Sequence, residues 1–359
     1  MILDEISNIR LVSQKITATE FKTAGEIVSW MGAIQAQDFS MAKLAAGIRI
    51  SDSTETDIEA SFNKGEILRT HLMRPTWHLV SAEDIYWMIE LTSPQIISSL
   101  KTRNKELELS ESIFTKSNHL IEKSLSGGIC LSREELAIEF NRAGIKTDAN
   151  RLSHLMLRAE LESIVCSGPL KTKKLTYCLL RDRVPLKKVL SRDEALVKLA
   201  NRYFRSHCPA TLQDFIWWSG LSRTEARHAF ESVKQNFVTE IIESREYLFT
   251  DSSATALYEN DSVHLLPAYD EFLISYKDRG ASLSLTDNKK AVSVNGIFYP
   301  VVIVNGQVAG LWRRSIKSNK TSIEVQLFIK PDKPKRDLIK KKAFMTGKFL
   351  NKETNIRLK

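Results

Sequence analysis

The feature that most constrains the fold is an order of elements that occurs three times. It is plainest in the middle of the chain. Leu131–Asn141 (LSREELAIEFN) places Ser132 three residues before Glu135, a reciprocal capping box, and this helix ends before Gly144. After a short turn, Asp148 is placed to cap a longer helix, ANRLSHLMLRAELES, whose Leu152, Leu155, Met156 and Ala159 form an apolar stripe. A strand IVCSG, a basic loop LKTKK and a strand LTYCLL come next. Helix, turn, helix and two-stranded wing is the plan of a winged helix-turn-helix.

The same order recurs on either side. Upstream, an amphipathic helix over Thr19–Gln35, a short helix over Met41–Ile48 and a third over Glu55–Asn63, ending near Gly65, precede ILRTHLMRPTWHLV. That segment is rich in β-formers and broken at Arg74-Pro75, so it reads as two strands around a turn. Downstream, helices over Arg192–Phe204 and Ala210–Trp218, a turn at Gly220-Leu221, a helix capped by Ser222 and the alternating FVTEIIESREYLFT repeat the plan. Beyond Asp261 the pattern becomes β-rich, with Asn295-Gly296 and Asn305-Gly306 as hairpin turns. The expected class is α+β: winged units at 1–100, 101–187 and 188–258, then a small β-barrel with a basic tail at 259–359.

The net charge of +9 over 359 residues is unevenly spread. Eleven basic and three acidic residues lie from Lys330 to Lys359, leaving residues 1–329 near balance at +1. That density suits a polyanion or a solvated surface helix. If the segment is a DNA-binding tail, its removal lowers affinity and flattens the salt dependence while base excision survives. The four cysteines form no C-x-x-C pair, which argues against a disulfide framework or zinc ribbon and for a reducing cytoplasm. The start, MILDEISNIRLVSQKI, lacks a secretory pattern, and no apolar run approaches the ~18 residues of a spanning helix. The histidines are scattered, and no H-E-x-x-H or glycine-rich phosphate loop occurs. The His207-Cys208 pair reads as structural, and neither metal nor cofactor is expected.

The residues best placed for chemistry lie in GAIQAQDFS. Gln35 and Gln37 flank one small residue, so on an extended segment their amides share a side, where they can hold a water and a substrate edge. The alternative is a polar helix end with solvated glutamines.

Over nearly its whole length the sequence resembles the AlkZ-like (YcaQ/AlkX-related) winged-helix DNA glycosylases. The resemblance rests on Gln35-Ala36-Gln37, matching a Q-apolar-Q motif; on LRTHLMRPTWHLV at 68–80; on LLPAYDEFLISYKDR at 265–279; on NGQVAGLWRR at 305–314; and on three winged units before a barrel. It implies release of alkylated purines from double-stranded DNA, with Gln35 and Gln37 orienting the attacking water. A second branch has Asp at the third motif position, so Gln37 places the chain nearer the branch associated with bulky lesions and interstrand crosslinks. An N7- or N3-alkylated purine is cationic and leaves neutral, so positioning is enough to supply several kcal/mol. No lysine stands out as a Schiff-base nucleophile, which implies a monofunctional enzyme. Asp38 is a candidate base or cation stabiliser.

Arg69, Arg74 and His78 in the first wing are candidates for phosphate or lesion contact, and Trp77 either stacks on a base or fills a core. Lys171, Lys173 and Lys174 in the second wing, and Arg313 and Arg314 beside a turn, are candidates for the DNA backbone. Asp270, Asp278 and Arg279 read as an ion pair holding the barrel against the helices, and Trp217 and Trp218 as core. The expected partner is alkylated duplex DNA, bound by a monomer in the cytoplasm at the nucleoid. The competing hypothesis is a winged-helix DNA-binding or regulatory protein with an inert glutamine pair.

Overall fold

The computed structural model describes residues 3–186, 190–251, 261–328 and 331–359. The expected domain limits at 187/188 and 258/259, and Ile329 and Lys330, lie outside them.

Helices form where the capping chemistry places them. Reciprocal boxes start Ala24–Met31 (Thr23 with Glu26), Glu55–Lys64 (Thr54 with Asp57), Arg133–Arg142 (Ser132 with Glu135) and Arg223–Lys234 (Ser222 with Glu225). The first of these is shorter than expected. Gly32, at φ 76°, ends it, and Ile34–Gln35 continues as a strand. Asp148 does not cap its helix: Arg151–Leu161 starts from Asn150 in the left-handed region, without a side-chain cap.

Two three-stranded sheets share one topology. In the first, Ile34–Gln35 pairs with Thr76–Ser81, which pairs with Ile67–Leu72, all antiparallel. In the second, Leu131–Ser132 pairs with Thr176–Leu179, which pairs with Val165–Ser167. The third hairpin, Val238–Ile242 with Arg245–Phe249, is two-stranded.

The C-terminal strands do not close into a barrel. Among the described residues they form one five-stranded sheet in the order Glu353–Leu358, Lys320–Leu327, Gln307–Lys317, Val301–Val304, Val263–Leu266. Asn305 and Gly306, both at positive φ, turn the chain between two of these strands as the sequence predicted. The sheet's apolar face is covered by other elements and has no need to curl on itself. Val263, Leu265, Val302, Trp312 and Ile323 share a core with Ile27, Val28 and Leu44 from the N-terminal helices and with Ile339, Ala343 and Phe349 from the helix Lys333–Phe349.

That helix is therefore no detached tail. It packs on the sheet, its Phe349 ring abuts Gly47 so closely that a Cβ there would clash, and it leads into Glu353–Leu358, which pairs parallel with Lys320–Leu327. Removing residues 333–359 would strip the core, so loss of affinity after such a truncation would not isolate a charge effect.

Candidate functional site

The first three-stranded sheet carries the site. Ile34 is opposite Leu79 and Gln35 opposite His78, and the strand is extended by a bond from the Ala36 N–H to the Trp77 carbonyl (2.7 Å). The chain then leaves the sheet, and Asp38 caps Phe39–Gly47 by accepting from the Met41 N–H at 3.1 Å. Gln35 is buried, at 5% exposure, whereas Gln37 and Asp38 are exposed. The two amides therefore have different surroundings, although the spacing places them near each other.

Three side chains fix this loop. The Gln35 N–H donates to Glu271 Oε1 at 2.6 Å, Arg69 Nε donates to the Ala36 carbonyl at 2.9 Å, and Arg74 donates to Gln35 Oε1 at 3.0 Å. With its Oε1 taken by a guanidinium, the Gln35 amide keeps its Nε2 hydrogens for other acceptors, and no described residue accepts them. Gln37 makes no hydrogen bond to any described residue.

Glu271 is the residue that sequence reasoning missed. It is 1% exposed and accepts from the Gln35 N–H, from Trp218 Nε1 at 3.2 Å and from the Ser275 hydroxyl, with His207 Nε2 3.8 Å away. Burial pushes its carboxyl up, but His207, Ser275 and the His78 ring outweigh burial and bring it to about 2. A buried carboxylate with this many donors is an ionised anchor. The available signal was two acids inside the apolar run LLPAYDEFLISY. Asp270, the other acid, forms a bidentate pair with Arg49 at 2.8 Å, both buried, and Arg49 also donates to Gln14. Tyr269, just before them, sits at φ 58°, an uncommon conformation for a bulky residue.

Several predicted site residues converge here. Arg69 lies over the Trp77 ring, 4.2 Å from its centroid, and Arg314 donates to the Ser40 hydroxyl at 2.7 Å. Burial lowers the Arg69 and Arg314 guanidinium values, and the Asp38 carboxylate is among the charges opposing this in both. His78 is buried and neutral: desolvation first, then the Arg74 charge, lowers it to about 3.

Others do not converge. Arg313 alternates to the opposite side of its strand and pairs with Glu324 at 74% exposure. Lys171 pairs with Glu135 in the second hairpin, whose Lys173 and Lys174 are exposed. Asp278 pairs with Arg245 and Asp270 with Arg49, while Arg279 donates to the Leu273 carbonyl, so the expected Asp–Arg279 pair does not form. Trp218 is fully buried, but Trp217 is only partly so, with Arg74, Lys277 and Arg279 around its ring. Two of the four cysteines, Cys166 and Cys178, face each other across the second hairpin.

Residues 28–344 match the family model for AlkZ-like DNA glycosylases. The chain belongs to the AlkZ-like DNA glycosylase family. Hydrolysis of an N-glycosyl bond in DNA is the activity of AlkZ-like enzymes, and this chain is one of them. A curated relative, the interstrand DNA cross-link repair glycosylase of Streptomyces sahachiroi, is 21% identical over 312 residues, spanning 81% of this chain and 82% of that protein. The structure of the Streptomyces sahachiroi DNA glycosylase AlkZ superposes with a TM-score of 0.83 at 18% identity, covering all of both chains, so the mixed α and β fold is shared. No described helix of this AlkZ-like chain is long and apolar enough to cross a membrane.

Proposed function

We propose that this enzyme excises N7- or N3-alkylated purines from duplex DNA, with Gln37 positioning the attacking water and Gln35 donating to the nucleotide. The observation that carries this reading is the asymmetry of the pair: Arg74 occupies Gln35 Oε1, whereas exposed Gln37 keeps both amide donors and its acceptor. Gln37 is the more open acceptor for a water, because Gln35 is buried and already accepts from Arg74.

An alkylated purine needs little acid catalysis. As the bond between C1′ and N9 breaks, its electron pair leaves with the base and cancels the positive charge there. The water oxygen bonds to C1′ and its surplus proton passes to solvent, leaving an abasic site. Asp38, exposed beside the loop, faces the developing sugar cation with a carboxylate. Its Met41 cap bond fixes it in place. The exposure of Gln37 and Asp38 also suits bulky adducts, including interstrand crosslinks, because a lesion there need not enter a closed pocket.

The three helix-and-hairpin segments act in this reading as winged units over 1–100, 101–187 and 188–258, with the C-terminal sheet at 259–359 as support. The enzyme works as a monomer at the nucleoid. The test is incubation with duplexes containing 7-methylguanine or an N7-linked interstrand crosslink, followed by assay of alkali-labile sites. Release from at least one is expected; DNA binding without release from either overturns the reading.

A further inference from the structure

Several surface cations of this molecule are matched by acids: Arg245 with Asp278, Arg313 with Glu324, Arg192 with Glu225, Lys171 with Glu135. Three others are gathered on one aromatic ring instead. Around the half-buried Trp217 ring lie Lys277 Nζ at 4.9 Å and the guanidinium carbons of Arg74 and Arg279 at 5.4 and 5.5 Å from its centroid. None of the three has a carboxylate within ion-pair distance among the described residues. The acids close in sequence are engaged elsewhere, Asp278 by Arg245 and Asp214 by Arg10 and the Lys277 N–H.

The cluster is held rigidly. Trp217 Nε1 donates to the Ile274 carbonyl at 2.8 Å, Arg279 Nε to the Leu273 carbonyl at 2.9 Å, and Arg279 also lies over Phe298 at 4.9 Å. Burial, and then the charge of Arg74, hold the Arg279 guanidinium below its ordinary value. Glu271 opposes the charge of Arg74, and Asp214 and Asp278 that of Arg279, only from beyond ion-pair contact, so like charges fixed together on an aromatic surface leave room for an anion. Arg74 Nε is buried without a partner, and the same guanidinium reaches Gln35.

We propose that Arg74, Lys277 and Arg279, gathered on Trp217, bind a phosphodiester group of the DNA strand that carries the lesion. The assignment to DNA rests on the Gln35–Gln37 loop being the reaction site: a nucleotide with its C1′ at Gln37 carries phosphates on either side. A phosphate seated there relieves the repulsion between Arg74 and Arg279. It also keeps Arg74 in place on Gln35, so strand docking and amide orientation share one residue.

The test is the salt dependence of binding to undamaged and abasic-analogue duplexes, followed by fluorescence anisotropy between roughly 50 and 200 mM salt. Lys277→Gln/Arg279→Gln should reduce the log–log slope by ~0.9, the value for one phosphate contact, and each single variant should lose part of that. Arg279→Lys, which keeps the charge, should retain the slope, and Arg313→Gln, whose guanidinium is already matched by Glu324, should leave it unchanged. A Lys277→Gln/Arg279→Gln protein that melts normally and keeps the wild-type slope overturns the proposal. Inorganic phosphate provides the second arm: thermal stabilisation of the wild type but not the double variant, with an unchanged DNA slope, assigns the cluster to a free anion and overturns the strand assignment. Because binding is measured without base release, an inactive glutamine pair would not be mistaken for failure of this site.

Discussion

The hairpins at 67–81 and 165–179 are built on the same plan, and each receives a short third strand on the same edge, Ile34–Gln35 in one and Leu131–Ser132 in the other. The two diverge where the chain leaves that short strand for the next helix. Ser132 is at once the last strand residue and the helix cap. In the first sheet Ala36 and Gln37 intervene between the strand's last residue, Gln35, and the cap, Asp38, and this two-residue insertion lifts Gln37 out of the ladder into solvent. The cations of the two hairpins differ accordingly. Arg69 and Arg74 turn inward to hold the inserted loop, whereas Lys171 faces outward to Glu135. A modest change in one connection converts a supporting element into a candidate reaction site, and it changes what the neighbouring positive charges are for.

The comparison breaks most sharply on Gln37. Gln37→Ala should lower the single-turnover rate of base release on the order of 10²-fold with little change in duplex affinity, a loss typical of removing one oriented polar group at a reacting centre. Equal losses in rate and affinity would mean that the loop is a binding element and not the reaction site. Arg74→Ala should lower the rate by about tenfold, because Gln35 Oε1 loses its donor and the amide can turn; rescue by Arg74→Lys would show that charge without the planar fork is enough.

Stability separates the two sheets next. Arg69→Ala leaves the Ala36 carbonyl without its donor and uncovers Trp77, and should cost about 1–3 kcal/mol in urea denaturation. Ser132→Ala, the cap in the matching position, should cost about 1 kcal/mol and leave the rate at saturating protein untouched. Smallest is Lys171→Ala, expected to leave stability close to wild type, since Lys171 itself is exposed.

Acid should expose the same contrast. His78 is depressed from 6.5 to about 3, so the unfolded chain binds its proton first: the contribution is complete above pH 6.5 and is lost as pH falls toward 3. Glu271, lowered from 4.5 to about 2, adds a loss over that lower range. A His78→Phe variant should therefore show a shallower fall in stability between pH 6.5 and 3 than the wild type. An identical slope would show that His78 does not titrate on unfolding.

Local chemistry made much of this legible in the sequence. The capping box at Ser132, the cap at Ser222, the break at Arg74-Pro75 and the Asn305-Gly306 turn each depend on residues within a few positions of one another, and each forms as read. The helix expected through Gln35 ends at Met31, because Gly32 turns the chain, and only Gln35 of the glutamine pair lies in the extended strand. Contacts across the fold left no such trace. The buried Arg49–Asp270 pair joins residues 221 positions apart, and nothing near Asp270 identifies its partner. The barrel expectation failed because strand alternation reports a buried face but not what buries it. The packing of the basic C-terminal segment was hidden for a related reason: the apolar Ile339, Ala343 and Phe349 were outnumbered by lysines, although they decide where the helix lies.

Gln35 and Glu271 meet although they lie 236 positions apart in the chain. Bringing such distant segments together is a late, slow event in folding, since loop closure must precede the contact it permits. The loop bearing Gln37 is thus shaped only when the N-terminal helices, the first hairpin and the start of the C-terminal sheet have all assembled. If that loop is the reaction site, as proposed above, a nascent or partly unfolded copy lacks the geometry for base release.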